Sequence, residues 1–160
     1  MTKVYIGENV VLKGNYSISN NCSIWHNAVI RADSDTVTIQ ENTNIQDLVM
    51  IHTGFNNCPV HIGKNVTIGH SAIIHGCTIG DHCLIGMGAI IMNHAKIGNN
   101  CIVGAGSLIT ENKTFPDNVL ILGSPAKVIR ELTKEEIKNI ENNAQLYITE
   151  AKKELKEINL

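Results

Sequence analysis

The sequence predicts an all-β fold, a parallel β-helix of stacked hexapeptide coils, with one C-terminal α-helix. Aliphatic residues recur every six positions over most of the chain, small side chains follow most of them four positions later, and a helical apolar stripe is confined to residues 133–160. A period of six fits neither the 3.6-residue period of a helix nor the plain alternation of an antiparallel sheet. It fits a coil of three short strands in which each hexapeptide forms one flat face.

The β-helix is expected over residues 1–112, as about six coils whose aliphatic residues point inward. These residues are Ile6, Leu12, Ile18, Ile24, Ile30, Ile39, Ile45, Ile51, Ile62, Ile68, Ile74, Ile79, Ile85, Ile91, Ile97, Val103 and Ile109. Residues 113–132 are interpreted as a last irregular coil and linker, because two prolines and a glycine interrupt the rhythm there.

Three irregularities break the rhythm, and each indicates a loop or a slip in the coil. Three residues are extra in Ile30–Ile39, and one residue is missing in each of Ile51–Ile62 and Ile74–Ile79. The last two irregularities directly adjoin His52 and His75. We therefore expect the coil to depart from regular stacking at these histidines.

The residue before each inward aliphatic residue shows what a face of the coil presents outside, and counting hexapeptides in turn gives three faces. The outer residues are Ser23, Asn44, His61, Thr78 and Lys96 on face C; Val29, Met50, Thr67, Leu84 and Ile102 on face A; and Ser17, Thr38, Ile73, Ile90 and Leu108 on face B. Two largely apolar faces need covering. A homotrimer closed by contacts of face A with face B would cover both, whereas scattered surface aliphatics would need no partner.

The segment 133–160 predicts an amphipathic helix that packs on the β-helix. Thr133 and Glu136 form a capping box at its start. Its apolar stripe consists of Ile137, Ile140, Ala144, Tyr147, Ile148, Ala151, Leu155 and Ile158.

Composition narrows the function classes. A chain of 160 residues with 43% hydrophobic content suffices for one domain, and its net charge of −2 without a basic cluster predicts neither nucleic acid nor a membrane surface as a partner. No secretory leader and no run of eighteen apolar residues is found, so we expect a cytoplasmic protein. The five cysteines form no CxxC pair and are interpreted as small buried hydrophobic residues.

Three histidines, His52, His70 and His75, indicate a metal site. Neutral imidazole is the commonest protein ligand of zinc, and three such ligands with an open water position are typical of a catalytic site. The face count places His52 and His70 one coil apart on face A and His75 on face B. We therefore expect all three to meet one ion where face A of one subunit contacts face B of another. The remaining histidines are interpreted as surface residues.

Motifs around these histidines resemble the gamma class of carbonic anhydrases, in its short-loop bacterial form within the hexapeptide-repeat superfamily. The motifs are IRAD (Ile30–Asp33), NIQD (Asn44–Asp47), GHSAIIHGCTIG (Gly69–Gly80), GMGA (Gly86–Ala89) and LGSPAKVIR (Leu122–Arg130). The resemblance covers nearly the whole chain. It implies a left-handed parallel β-helix and a homotrimer that acts on carbon dioxide and bicarbonate.

The resemblance also implies roles for individual residues. His52, His70 and His75 would bind Zn²⁺, with Fe²⁺ or Co²⁺ as alternative occupants, at a site shared between two subunits. Gln46 would bond the metal-bound water, Asn44 would orient Gln46, and Arg31 would contact bicarbonate while paired with Asp33 or Asp47 across the interface. A zinc-bound water has a pKa near 7, as in carbonic anhydrase itself, so hydroxide would be available at neutral pH.

Two departures and three alternatives accompany this resemblance. Ser34 stands where the family has a glutamate, and the loop Thr53–Cys58 lacks the acidic insertion that carries a proton shuttle, which predicts slow turnover. The alternatives are a non-catalytic metal-bound trimeric scaffold, a thioesterase, and a hexapeptide-repeat acyltransferase. Residues Gly123–Lys127 match the C-terminal pattern of such acyltransferases. Arg31, Asp33 and Asp47 could equally form an intersubunit ion-pair network.

Overall fold

In a computed structural model that describes residues 4–157, the hexapeptides form short strands that stack in parallel, and one helix follows them. The strands are β1 (Tyr5–Ile6), β2 (Val11–Ile18), β3 (Ser23–Ile24), β4 (Val29–Ile39), β5 (Asn44–Ile45), β6 (Met50–His52), β7 (Val60–Ile62), β8 (Thr67–Ile68), β9 (Ile73–His75), β10 (Thr78–Ile79), β11 (Leu84–Ile85), β12 (Ile90–Ile91), β13 (Lys96–Ile97), β14 (Ile102–Val103), β15 (Leu108–Ile109), β16 (Thr114–Phe115), β17 (Val119–Gly123) and β18 (Ala126–Glu131). Helix α1 spans Lys134–Glu157. The predicted hexapeptide β-helix with a C-terminal helix is confirmed.

The coil has three faces, which we name by what they present. The helix face consists of β1, β3, β5, β8, β11, β14 and β17. The aliphatic face consists of the first halves of β2 and β4 with β6, β9, β12 and β15, and the polar face consists of the second halves of β2 and β4 with β7, β10, β13 and β16. The long strands β2 and β4 each run around a corner and so belong to two faces.

The outer residues of these faces differ from the predicted grouping. They are Ser23, Asn44, Thr67, Leu84, Ile102 and Leu120 on the helix face; Val11, Val29, Met50, Ile73, Ile90 and Leu108 on the aliphatic face; and Ser17, Thr38, His61, Thr78, Lys96 and Thr114 on the polar face. One face, rather than two, is therefore aliphatic along its whole length.

The prediction of faces A, B and C is wrong beyond Ile51, and the cause is the irregularity in Ile51–Ile62. Ile62 pairs with both Ile39 and Ile79 on the polar face. The segment after Ile51 therefore advances the coil by one face with a loop inserted, not by two faces with one residue missing. The other two irregularities have the predicted lengths.

The core is a stack of inward isoleucines that the rhythm identifies correctly. From Ile24 to Ile91 every predicted inward residue is fully buried, with exposed fractions of 0%. The corners between faces need residues that tolerate a positive φ, and asparagine does so at low cost. Asparagines with φ between 54° and 63° occupy many of these corners, among them Asn27, Asn42, Asn65, Asn100, Asn112 and Asn118.

The segment 113–132 is more regular than predicted. Phe115 and Ile121 continue the inward rhythm in β16 and β17 and are buried. Strand β18 then folds back on β17 in antiparallel pairing around Ser124–Pro125. A last coil is therefore present as predicted, but it is regular, and strand β18 stands where a linker was expected. An aromatic residue at an inward position and two nearby prolines obscure this regularity in the sequence.

Helix α1 begins with the predicted capping box and packs on the first half of the helix face. The Thr133 backbone N–H donates to Glu136, whose own N–H donates to the Thr133 hydroxyl, at 2.9 and 3.2 Å. Tyr147 packs edge-on against Trp25, with ring centroids 5.7 Å apart. The predicted stripe is buried or half-buried through Leu155, and Ile158 lies outside the described residues. Between residues 4 and 157, the chain contains no helix long and apolar enough to cross a membrane.

Candidate metal centre

His52 and His75 lie side by side on the aliphatic face. Equivalent positions of successive coils stack at the strand spacing, and the register pairs Arg31 of β4 with His52 of β6 and His52 with His75 of β9. The His52 Nδ1 and His75 Nε2 atoms are 3.0 Å apart, and the ring centroids are 4.9 Å apart. The expectation that His52 shares a face with His70 and not with His75 is wrong, for the register reason given above.

His70 lies apart from this pair, at the corner between β8 on the helix face and β9 on the aliphatic face. Its Nδ1 atom is 3.0 Å from Asp47 Oδ2. Among residues 4–157 of a single chain, no group of three His, Cys, Asp or Glu side chains converges closely enough to hold a metal ion. One chain therefore brings together two of the three predicted ligands.

Arg31 and Asp33 surround the outer side of His52. Asp33 Oδ2 is 3.4 Å from Arg31 Nε, and the His52 Nε2 atom is 3.0 Å from both Asp33 Oδ1 and Arg31 Nη2. In a neutral imidazole this nitrogen either accepts from the arginine or donates to the carboxylate, depending on the tautomer. Desolvation raises the pKa of Asp33, but the contacts with His52 and Arg31 outweigh it, so the pKa lies below its usual value. Asp33 is thus held as a carboxylate that orients Arg31.

Gln46 and Asn44 form a buried chain of hydrogen bonds beside His70. The His70 backbone N–H donates to Gln46 Oε1 at 3.2 Å, and Gln46 Nε2 donates to Asn44 Oδ1 at 3.3 Å. Asn44 Nδ2 donates to the Thr67 hydroxyl at 2.8 Å, which donates to Asn143 of α1 at 2.9 Å. Asn44 and Gln46 are therefore in direct contact, and helix α1 supports this pair from behind.

The predicted site residues thus form two separate groups in one chain. The His52 group comprises Arg31, Asp33, His52 and His75, and the His70 group comprises Asn44, Gln46, Asp47 and His70. The His52 group lies where β6 and β9 end. The His70 group lies at the corners that precede these two strands, with Asn44 in the adjoining strand β5. The two groups therefore flank the aliphatic face from opposite sides.

Sequence reasoning missed two residues that support the His52 group. Asn93 accepts a hydrogen bond from His75 Nδ1. Asp35 accepts from the Cys58 backbone N–H at 2.8 Å, and its own N–H donates to the Thr53 hydroxyl at 3.1 Å, which ties down the loop between them. Asn93 directly follows the residue that stacks on His75 in the next coil, so the correct register would have identified it. In the sequence alone, an asparagine at a corner looks like an ordinary turn residue.

Comparisons with known proteins agree with the repeat and the motifs. A family model described as bacterial transferase hexapeptide (six repeats) matches residues 59–91 and 76–111. The chain is 51% identical over 145 residues to a Methanocaldococcus jannaschii protein named "Probable carbonic anhydrase", covering 91% of each. It is 36% identical over 150 residues to the mitochondrial gamma carbonic anhydrase 2 of Arabidopsis thaliana, covering 91% of this chain and 54% of that protein. A solved Bacillus cereus structure, described as a candidate acetyltransferase, matches with a TM-score of 0.89 and 39% identity over 92% of this chain and 86% of that one.

Proposed function

Because the chain belongs to the gamma carbonic anhydrase family, we propose that it catalyses the reversible hydration of carbon dioxide to bicarbonate at a zinc ion shared between two subunits of a homotrimer. The observation that carries this proposal is the facing pair of imidazole nitrogens of His52 and His75, 3.0 Å apart beside Arg31. Tetrahedral zinc with nitrogen ligands at about 2.0–2.1 Å holds two nitrogens about 3.3 Å apart. The pair therefore fits such an ion with a small outward shift.

The third ligand would be His70 of a neighbouring subunit. The aliphatic face separates the two groups, and its outer residues Val11, Ile73 and Ile90 are 49%, 39% and 38% exposed in the single chain. An apolar face of this length needs a partner, and a heterologous contact that closes as a ring covers it in every subunit. Such a contact would bring the His52 group of one subunit against the His70 group of the next.

The chain's own residues would divide the work between the two groups. Zinc, when bound by the three histidines, lowers the pKa of its water to near 7 and so makes hydroxide available. Arg31, oriented by Asp33, presents a guanidinium to the anionic bicarbonate product. Gln46 keeps one N–H and one oxygen lone pair for a water molecule, because its other bonds to Asn44 and the His70 backbone fix the amide.

Proton release would limit turnover. The loop Thr53–Cys58 carries no acidic side chain, so the proton must leave by way of the solvent or a buffer. Hydration should therefore be measurable, should depend strongly on the concentration of small imidazole buffers, and should rise with pH around a midpoint of about 7.

A pH-indicator assay of hydration, on protein with measured metal content, tests the proposal. Zinc-loaded protein should be active, His75→Ala protein should be inactive, and His61→Ala should serve as a matched control because His61 is exposed on the polar face. If zinc-loaded wild-type protein shows no hydration at any buffer concentration, the proposal fails and the non-catalytic scaffold takes its place. Acetyl transfer from acetyl coenzyme A, measured alongside, would instead support the acyltransferase alternative.

A further inference from the structure

We propose that Asn93 is a positioning residue that selects the tautomer of His75. Its side-chain oxygen would keep the hydrogen of His75 on Nδ1, so that the Nε2 lone pair faces His52 at the proposed metal site. This inference rests on the proposed function but names a residue outside the predicted site. It can be tested on metal-free protein, apart from activity.

In the hydrogen bonds from Arg31 through His52 and His75 to Asn93, each residue donates to the next one. Asn93 Oδ1 has no hydrogen, so its contact with His75 Nδ1 requires that Nδ1 carry one, and a neutral ring then has its lone pair on Nε2. That lone pair accepts from His52 Nδ1 at 3.0 Å, and His52 Nε2 in turn accepts from Arg31 at 3.0 Å. One set of tautomers therefore satisfies the contacts that run from Arg31 through His52 and His75 to Asn93, and it leaves Asp33 Oδ1, 3.0 Å from His52 Nε2, without a hydrogen from that ring.

The opposite orientation of the amide would have the opposite effect. With Nδ2 in place of Oδ1, Asn93 would donate to His75 Nδ1 and leave the hydrogen of the ring on Nε2, where it would face His52. A metal ion binds the unprotonated nitrogen of imidazole, and the hydrogen bond at the other nitrogen decides which one that is. The identity of the Asn93 atom that touches His75 therefore determines whether His75 is ready to bind.

The side-chain amide of Asn93 lies close to Gly76 and Gly54. A Cβ atom at Gly76 would collide with Cys58 Sγ and would lie 2.9 Å from Asn93 Oδ1, so this position requires glycine, which also has a φ of +53°. A Cβ atom at Gly54 would lie 2.6 Å from Cys58 Sγ and 3.4 Å from Asn93 Nδ2. The oxygen of the amide thus lies toward His75 and its nitrogen toward the loop Thr53–Cys58, with Cys58 filling the space between.

Nitrogen-15 NMR of histidine side chains in metal-free, full-length protein is the direct test. In mildly alkaline buffer, His75, assigned by its loss in His75→Ala, should show hydrogen on Nδ1 in the wild type. Asn93→Asp, whose carboxylate also accepts, should keep that signature, whereas Asn93→Leu should shift it toward hydrogen on Nε2. A wild-type His75 with hydrogen on Nε2, or a signature that Asn93→Leu leaves unchanged, overturns the inference.

Zinc affinity, measured by competition with a chelator, provides the second readout. Asn93→Leu should weaken zinc binding by about 10- to 100-fold, the usual effect of losing a residue that orients a ligand, and Asn93→Asp should stay near the wild type. Asn99→Leu is the matched control, since Asn99 is exposed and accepts from the Asp81 backbone N–H at 2.8 Å, away from His75. Circular dichroism establishes that each variant is folded. Equal affinities for Asn93→Leu and Asn93→Asp would contradict the inference, whereas wild-type protein that binds no zinc would refute the proposed function and leave the NMR result to decide the inference.

Discussion

The His52 group and the His70 group differ in how the fold supports them. The His52 group stands on three stacked strands, and Arg31 and Asp33 remain substantially exposed, at 44% and 33%. In the His70 group, Gln46 and Asn44 are buried, at 5% and 1%, and linked through Thr67 to helix α1. Both groups present a pair of ionisable side chains that is similarly exposed, and the His70 group is in addition braced from behind by helix α1. In the proposed function, the two groups would be complementary halves of one centre, each incomplete in its own chain.

Removing a histidine from either group should have the largest effect. We expect His75→Ala and His70→Ala each to lower zinc affinity by more than about 100-fold, beyond the usual effect of a supporting residue, because each removes a ligand. Both variants should also dissociate more readily, which light scattering would show. If either variant still binds one zinc ion per chain, the histidine that it lacks is not a ligand of the metal.

Breaking the aliphatic face should separate the two groups while leaving their own residues unsubstituted. Ile90→Lys would bury an unpaired charge in the proposed interface, so we expect the trimer to weaken by at least about 100-fold, or about 2.7 kcal/mol. Zinc should be lost with the trimer. Thr78→Lys, on the exposed polar face, is the control and should change neither property. Zinc retained by a monomeric Ile90→Lys protein would show that one chain suffices.

Substitutions outside the ligands should sharpen the difference between the groups. Arg31→Ala should lower kcat/KM by about 100-fold with zinc retained, since it removes charge stabilisation of the anion. Gln46→Ala should lower kcat/KM by about 10- to 100-fold. Arg130→Ala is a matched control, because Arg130 pairs with Glu136 at the start of α1, at 2.7 Å. Equal rates for Arg31→Ala and the control would favour a purely structural ion pair.

The sequence predicts features that depend on neighbouring residues, and it does not predict features that depend on the register between distant segments. The inward isoleucines follow from a local period, so they are predicted correctly from Ile24 to Ile91. The faces are not, because the gap between Ile51 and Ile62 preserves the rhythm whether it is a loop or a missing residue. That ambiguity misplaces both His70 and His75. Asn93 was overlooked for a related reason, since its contact depends on the register between coils.

The smallest expected effect concerns helix α1, which braces only the His70 group. Hydrogen bonds from Arg130 and from the Thr133 backbone hold the pKa of Glu136 at about 2, below its ordinary value of 4.5. A lowered pKa in the folded state adds stability above pH 4.5 that is lost as the pH falls toward 2. The melting temperature of Glu136→Gln should therefore lie slightly below that of the wild type at neutral pH, and the difference should disappear in acid. A difference that does not change with pH would exclude this ionic contribution.

The most direct test of a divided centre is to mix two inactive proteins. In a ring of three subunits, every mixed trimer of His75→Ala and His70→Ala chains contains one interface at which an intact His52 group meets an intact His70. Co-refolding equal amounts should therefore restore about a quarter of the wild-type zinc sites. Mixing His52→Ala with His75→Ala, which damage the same group, should restore none. Restoration in the first mixture alone is the predicted result, and no restoration in either mixture, with mixed trimers demonstrated by mass spectrometry, would contradict the account.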